Sequence, residues 1–253
     1  MRFSSAADLT SLDGMAAPSR SGVGPWQALM DEIVCCQACP RLVAWREQVA
    51  RDKRRAYRDW DYWGRPVPGF GDPAARLLIV GLAPGAHGSN RTGRMFTGDS
   101  SGDTLYAAMH CAGFASRPHA SDRHDGLRLS GAYITAVARC APPANRPTPA
   151  EMAACRHFLV REWALMPQIR VVLALGQVAF DNCLRLLRAQ GYEPPPLRFA
   201  HGLHHRLLSS NGSGDPLHFV ASYHPSRQNT QTRRLTPQML DHVFNQCRSL
   251  LAG

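Results

Sequence analysis

Residues 76–106 read RLLIVGLAPGAHGSNRTGRMFTGDSSGDTLY: an unbroken apolar run, then a stretch with six glycines between Gly81 and Tyr106 and almost no large apolar side chain. Arg76 to Val80 reads as a strand buried on both faces, and the pattern over about 101–113 reads as the helix that follows it. Three further runs repeat this plan: AYITAVA (132–138), VVLALG (171–176) and LHFVASY (217–223), with helical patterns at about 149–164, 177–189 and 237–251. Strand and helix alternate. That alternation predicts an α/β fold, a three-layer α/β/α sandwich around a central, mainly four-stranded parallel sheet.

Outside this repeat, Trp26 to about Val49 reads as helical with a break at Pro40, and RDKRRAYRDWDYWGRPVPGFGDP (51–73) as a basic, aromatic, Pro/Gly-rich connection. Segments 115–127 and 191–216 read as loops, the second with a hairpin around FAHGLHHRLL (199–208). Residues 1–24 are rich in Ser, Ala and Gly without periodicity, which predicts a disordered tail, and 25–253 then form one domain.

The chain has 253 residues, 44% of them apolar, and a net charge of +10. Of its 29 basic residues all but Lys53 are arginine. Planar guanidinium groups pair with phosphate oxygens two at a time, so a nucleic acid is the leading partner, although arginine in place of lysine is also the mark of a coding bias. No stretch approaches the roughly 20 apolar residues that span a bilayer, and no charged segment followed by an apolar one opens the chain, so the expectation is a cytoplasmic protein.

In a parallel sheet of this kind ligands bind beyond the carboxyl ends of the strands. Four segments leave those ends: the Gly-rich stretch, RCAPPANRPTP, GQVAF and HPSRQNTQTRR. The first lacks the Gly-Lys-Ser/Thr of a phosphate loop and the G-x-G-x-x-G of a dinucleotide fold, which argues against a nucleoside triphosphate. Its glycines would let backbone approach a flat ligand or a phosphate, while RTGRMFTGD adds two guanidiniums, a ring and a carboxylate. A plain strand-to-helix turn with Asp99 capping the helix accounts for the same residues.

The cysteines add a second signal. Eight of them without a secretion signal favour metal ligands or free thiols over disulfides. Cys36-x2-Cys39 is one pair, and Cys140 is separated from Cys155 by fourteen residues that include four prolines. A four-thiolate site for zinc or an iron–sulfur cluster follows, and spacing alone does not choose between the metals. Cys35 is the less usual alternative to Cys36, and Cys111, Cys183 and Cys247 read as buried free thiols.

Taken together, GLAPGAHGSNRTGRMFTGD (81–99), YITAVARCAPPANRPTPAEMAAC (133–155) and SYHPSRQNTQTRRLT (222–236) closely resemble the family 5 uracil-DNA glycosylases, bacterial and archaeal enzymes with a broad base range and a four-cysteine cluster. The resemblance runs from about Cys36 to Leu250. It implies a structural [4Fe-4S] cluster on Cys36, Cys39, Cys140 and Cys155, with zinc as the lesser reading. It implies a base flipped out of double-stranded DNA into a pocket lined by Gly85 and Ala86, with Phe96 stacked on it. Asp99 would position water and face the cationic sugar, with Asp103 the alternative carboxylate; His224 would hydrogen-bond the departing base, and Asn145 matches a position linked to catalysis or water positioning. Arg91, Ser226, Arg227, Gln228 and Asn229 would contact the duplex, Arg227 and Gln228 as the wedge. Related uracil-specific enzymes carry an acidic residue where this chain has Leu82 and Ala83, and a uracil-reading asparagine where it has Ala136, so hypoxanthine and xanthine are expected beside uracil. The sole lysine, Lys53, lies in a solvated run, which predicts a glycosylase without strand-cutting activity. A monomer is expected. The competing readings are a non-catalytic metal-cluster DNA-binding module, which has no need of Asp99, Asn145 and His224, and a magnesium-dependent nucleotide hydrolase.

Overall fold

The computed structural model describes residues 24–210 and 215–252, so the tail predicted over the first residues lies, but for Gly24, outside the described part. Four strands form the expected parallel core: β2 (Leu77–Gly81), β3 (Ala132–Ala136), β4 (Val171–Leu175) and β6 (Leu217–Ser222). Two short strands extend it at the edges, β1 (Phe70–Gly71) antiparallel to β3 and β5 (His204–Leu207) antiparallel to β6, giving the order β1-β3-β2-β4-β6-β5. The hairpin expected within 199–208 is thus a single strand, and its partner is β6. From β2 the chain crosses to β3 on one side and then to β4 on the other, so the winding reverses between β2 and β4. The crevice at such a reversal is where open α/β sheets bind ligands.

Every residue of β2, β3 and β4 is buried, which is why these strands read as continuous apolar runs instead of alternating ones. Successive side chains point to opposite faces. Leu77, Ile79, Ile134 and Leu173 pack with Leu105 and Met109 of α4 (Ser100–Cys111) and with Leu240 and Phe244 of α8 (Pro237–Ala252). Leu78, Val80, Tyr133 and Val172 pack on the other face with Leu159 of α5 (Pro149–Ala164) and with Phe180, Cys183 and Leu187 of α6 (Gln177–Ala189). Local chemistry fixes several boundaries. Thr148 and Glu151 form a reciprocal capping box with Pro149 at the first helical position, so α5 starts there and nowhere else.

The N-terminal helical region is two helices, α1 (Pro25–Cys35) and α2 (Pro40–Asp52), each opened by proline and separated by the turn that holds Cys36 and Cys39. Leu29 and Ile33 dock α1 on Phe158 of α5. Among the described residues no helix is long and apolar enough to cross a membrane.

Candidate active site

The Gly-rich stretch leaves β2, makes a turn at Gly85–Gly88, forms the short helix α3 (Ser89–Thr92) and reaches Asp99, the N-cap of α4. Asp99 Oδ1 accepts from the amides of Ser101 at 3.0 Å and Gly102 at 3.1 Å. Its second oxygen points back into the turn: a Cβ on Gly88 would lie 2.0 Å from Oδ2, and one on Gly85 2.9 Å from it. A Cβ on Gly81 would lie 2.9 Å from the Phe96 ring. The space cleared by these glycines is therefore filled by the chain's own carboxylate and ring. The cap reading of Asp99 holds, and it uses one oxygen only: the other remains free of hydrogen bonds among the described residues. Burial raises the Asp99 carboxyl above its ordinary value, opposed by the two capping amides.

Phe96 is 8% exposed and sits at φ +51°, a conformation that a bulky residue holds only under constraint. The constraint is visible around it. Arg94 donates to Thr97 Oγ1 at 2.9 Å and pairs through both terminal nitrogens with Asp125, at 2.8 and 2.6 Å. Tyr106 donates to the carbonyl of Met95 at 2.7 Å, and Thr92 to that of Thr97 at 3.2 Å. Asp125 lies in the 115–127 loop, so that insertion braces the site. Burial alone would raise its carboxyl, but Arg94 and the Leu127 and Ser121 amides outweigh this and lower it to about 2.

The loop after β6 supplies His224. Its ring lies 5.7 Å from that of Phe96, centroid to centroid, at an interplanar angle of 30°. Gly176, at the end of β4, admits it: a Cβ there would be 3.3 Å from the His224 Cβ. Burial lowers the imidazole to about 4, so it is neutral at physiological pH. Asn229 Nδ2 donates to the His224 carbonyl at 2.8 Å, and Ser226 caps α7 (Arg227–Gln231) by accepting from the Asn229 amide. Asn229 and Ser226 therefore brace this loop, while Arg227 and Gln228 stand exposed on it.

Other expected residues are placed less directly. Gly85 and Ala86 lie on the half-buried turn, where the Gly85 carbonyl accepts from the amides of Gly88 and Asn90. Asn145 is exposed at φ +55° on the loop after β3, and its side chain makes no hydrogen bond among the described residues, so nothing joins it to Asp99 or His224. Arg91 departs from the expected surface contact to DNA. It is 3% exposed, donates to the carbonyls of His87 and Gly98, and sits in the corner formed by the perpendicular rings of Tyr57 and Trp60, at 3.9 and 4.0 Å from their centroids. It acts as a brace that ties the 51–73 connection to the Gly-rich loop. A basic, aromatic-rich segment beside a Gly-rich loop was the available signal. Cys111 also departs from expectation: it ends α4 and is exposed, whereas Cys183 and Cys247 are buried.

Cys36, Cys39, Cys140 and Cys155 line one enclosed cavity together with Leu42, Val43 and Arg139, whereas Cys35 points to solvent. No three His, Cys, Asp or Glu side chains among the described residues converge closely enough to hold a single metal ion. Burial raises the Cys140 thiol, and that of Cys155 to about 11, opposed by Arg46 and Arg139 respectively. Two buried guanidiniums stand beside this cavity. Arg46 donates to the Cys36 carbonyl at 3.3 Å and to Cys140 Sγ at 3.0 Å. Arg139 pairs with Glu162, which also accepts from Tyr133 and Thr135 of β3. Neither arginine was legible as buried from the sequence.

Comparison with known proteins agrees with this geometry. The sequence model of the Uracil DNA glycosylase superfamily matches residues 68–248. A type-5 uracil-DNA glycosylase of Mycobacterium bovis is 52% identical over 230 residues, 90% of this chain and 83% of that protein. One of Thermus thermophilus is 50% identical over 224 residues, 88% of this chain and 97% of that protein. A type-4 uracil-DNA glycosylase of Thermotoga maritima is 36% identical over 116 residues, 46% of this chain and 52% of its own length. With a family match over most of the sheet and relatives this similar along nearly the whole chain, the protein belongs to the uracil DNA glycosylase superfamily, in its type-5 branch.

Proposed function

We propose that the chain hydrolyses the N-glycosidic bond of uracil in DNA and, through a permissive pocket, of hypoxanthine and xanthine. The observation that carries this is the meeting of Asp99, Phe96 and His224 at the carboxyl ends of the strands beside the β2/β4 reversal. In the reaction water adds to the sugar C1′ and the base leaves with the bonding electrons, so positive charge develops on the sugar and negative charge on the base. Asp99 serves the first: Oδ1 is locked by the cap and Oδ2 is free to orient water and face the sugar. His224 serves the second. Because the imidazole is neutral, it donates a hydrogen bond to the anionic base and has no proton to spare as a general acid at physiological pH.

Reaching this site requires the nucleotide to leave the duplex. The two rings, at 5.7 Å, are closer than the two stacking gaps of about 3.5 Å that a base between them would need. The base therefore lies on Phe96, with His224 at its edge and Gly85 and Ala86 alongside. Arg227 and Gln228 enter the space it vacates, held by Ser226 and Asn229. Asn145 approaches the sugar only when DNA draws its loop inward. Ala136, at the end of β3, offers no side-chain donor or acceptor to a base edge, which relaxes selectivity. Lys53 caps α2 and donates to the Arg58 carbonyl, which supports the reading of a glycosylase that leaves the strand uncut. One monomer acts on one lesion in double-stranded DNA.

The four cysteines are read as the cage of a structural [4Fe-4S] cluster. A single zinc, with bonds of about 2.3 Å, needs its thiolates drawn tightly together, and these are not so placed. A cluster would supply a cross-link between the N-terminal helices, the loop after β3 and α5, with no part in bond cleavage.

The test uses the full chain in EDTA with duplexes carrying one uracil, one hypoxanthine or no lesion, each treated with and without hot alkali. Strand cleavage only after alkali, and only with a lesion, is expected. Duplex binding without cleavage would return the protein to a binding module.

A further inference from the structure

Three guanidinium N–H groups beside the cysteine cavity have no partner: Arg46 Nε, Arg139 Nε and Arg139 Nη1. Both side chains are 1% exposed. A buried donor without an acceptor is rare, because it loses its hydration and gains nothing in exchange. Local partners do not account for these two. Arg46 has Glu47 as its only carboxylate partner, at 3.7 Å and 44% exposed, and spends Nη1 on the Cys36 carbonyl and Cys140 Sγ, which leaves Nε free; Arg139 spends one nitrogen on Glu162 and leaves the other two free. The side chains that line the cavity beside Arg139 are the four cysteines and apolar residues, none of which carries a side-chain oxygen.

We infer that Arg46 and Arg139 are the counter-charges of the cluster held between Cys36, Cys39, Cys140 and Cys155, donating their free N–H groups to its sulfur atoms. This rests on the cluster reading above. Four thiolates carry more negative charge than a cluster core neutralises, so the assembled cage is an anion in an apolar enclosure. Guanidinium is the side chain suited to that setting, being always charged, weakly hydrated and rich in fixed donors. One contact of this kind is already made, from Arg46 Nη1 to Cys140 Sγ at 3.0 Å. Arg139 is held in place by Glu162, whose carboxylate balances one of the two positive charges and leaves the other for the cage.

The experiment uses the full chain purified without oxygen, with iron and acid-labile sulfide counted per chain. Its readouts are the rate at which the visible absorption of the cluster decays under an iron chelator, and the reduction potential. Arg46→Met is expected to speed the decay by about 10–100-fold, the usual effect of removing a group that supports metal ligands. The potential should become more negative, because lost positive charge and lost N–H···S bonds both disfavour the reduced cluster. Arg46→Lys, which keeps the charge but not the fork of donors, should restore part of the loss. Arg139→Met is made together with Glu162→Gln, and compared with Glu162→Gln alone, so that no buried carboxylate is stranded. Unchanged decay and potential in iron-loaded Arg46→Met and in the double variant would overturn this inference while leaving the cluster standing. A wild-type chain with no iron and sulfide, or with zinc alone, would overturn both. Glycosylase activity, measured separately on a uracil duplex, stands or falls apart from either.

Discussion

Gly88→Ala tests whether the glycines exist to admit the carboxylate. A Cβ at Gly88 would lie 2.0 Å from Asp99 Oδ2, 2.7 Å from Cγ and 3.1 Å from Cβ, where ordinary contact begins near 3.4 Å. The carboxylate must rotate out of the turn by about 1.4 Å, which draws Oδ1 from the Ser101 and Gly102 amides. A displacement of about 1 Å at a reacting group costs on the order of 100-fold in rate, so Gly88→Ala should lose at least that much. Rotation also breaks the cap, removing about 1 kcal/mol of stability. Gly85→Ala is the graded control: its Cβ would meet the same oxygen at 2.9 Å, a conflict of about half an ångström, and a several-fold loss is expected. The assay is single-turnover base release from a uracil duplex with enzyme in excess, so that binding and product release do not enter, beside Asp99→Ala as the limit. Near-wild-type release by Gly88→Ala, or a greater loss in Gly85→Ala than in Gly88→Ala, would refute the reasoning.

Other consequences follow from the same geometry. With His224 lowered to about 4, its own ionisation should leave no step near 6.5, and single-turnover rates should fall on the acid side as Asp99, which burial raises, and His224 take up protons; His224→Ala should cost about 100–1,000-fold in rate, as for loss of one donor to a developing anion. Because the unfolded imidazole takes up its proton at 6.5 and the native one near 4, this residue lowers stability as pH falls through that window, by up to about 3 kcal/mol, as urea unfolding across pH will show. Asp125 acts at lower pH: its native carboxyl titrates at about 2 against an ordinary 3.8, so its contribution is complete above that ordinary value and is lost as pH falls to about 2. Asp125→Ala, which strands the buried Arg94, should cost about 3–5 kcal/mol in denaturant unfolding and slow base release with it. Phe96→Leu should weaken binding of a uracil duplex by about 1–3 kcal/mol, the worth of one stacked base, while binding of undamaged duplex is unchanged; equal weakening of both would remove Phe96 from the pocket.

The parallel core was legible because each strand is buried on both faces and so carries an unbroken apolar run, and α5 because Thr148, Pro149 and Glu151 write its start in local chemistry. The edge strands were not. Phe70–Gly71 is two residues long, and His204–Leu207, mostly exposed and polar, showed only as a hairpin expected around 199–208, its pairing with β6 unread. Asp99, Phe96 and His224 were singled out through motif resemblance, and the structure shows what holds each in place. What the sequence did not show is the burial of arginines: Arg46, Arg91, Arg94 and Arg139 are all buried, each against partners from another segment, although Arg91 and Arg94 were noted for their guanidiniums. A lone arginine in a basic chain reads as surface, since its identity says nothing about where its counter-charge will arrive. The same limit hid Asp125, whose loop shows no sign of reaching back to Arg94.

The fit of Phe96 against Gly81 also constrains how this site can change by descent. A Cβ at position 81 would lie 2.9 Å from the ring, so a substitution there has to displace Phe96 for as long as the ring stays. Shrinking residue 96 first opens position 81, at the expense of stacking; the reverse order passes through a chain whose ring has been pushed from its place. The two positions are thus epistatic with a fixed order, and a lineage that altered its grip on the base would have to give up the ring before it could replace the glycine.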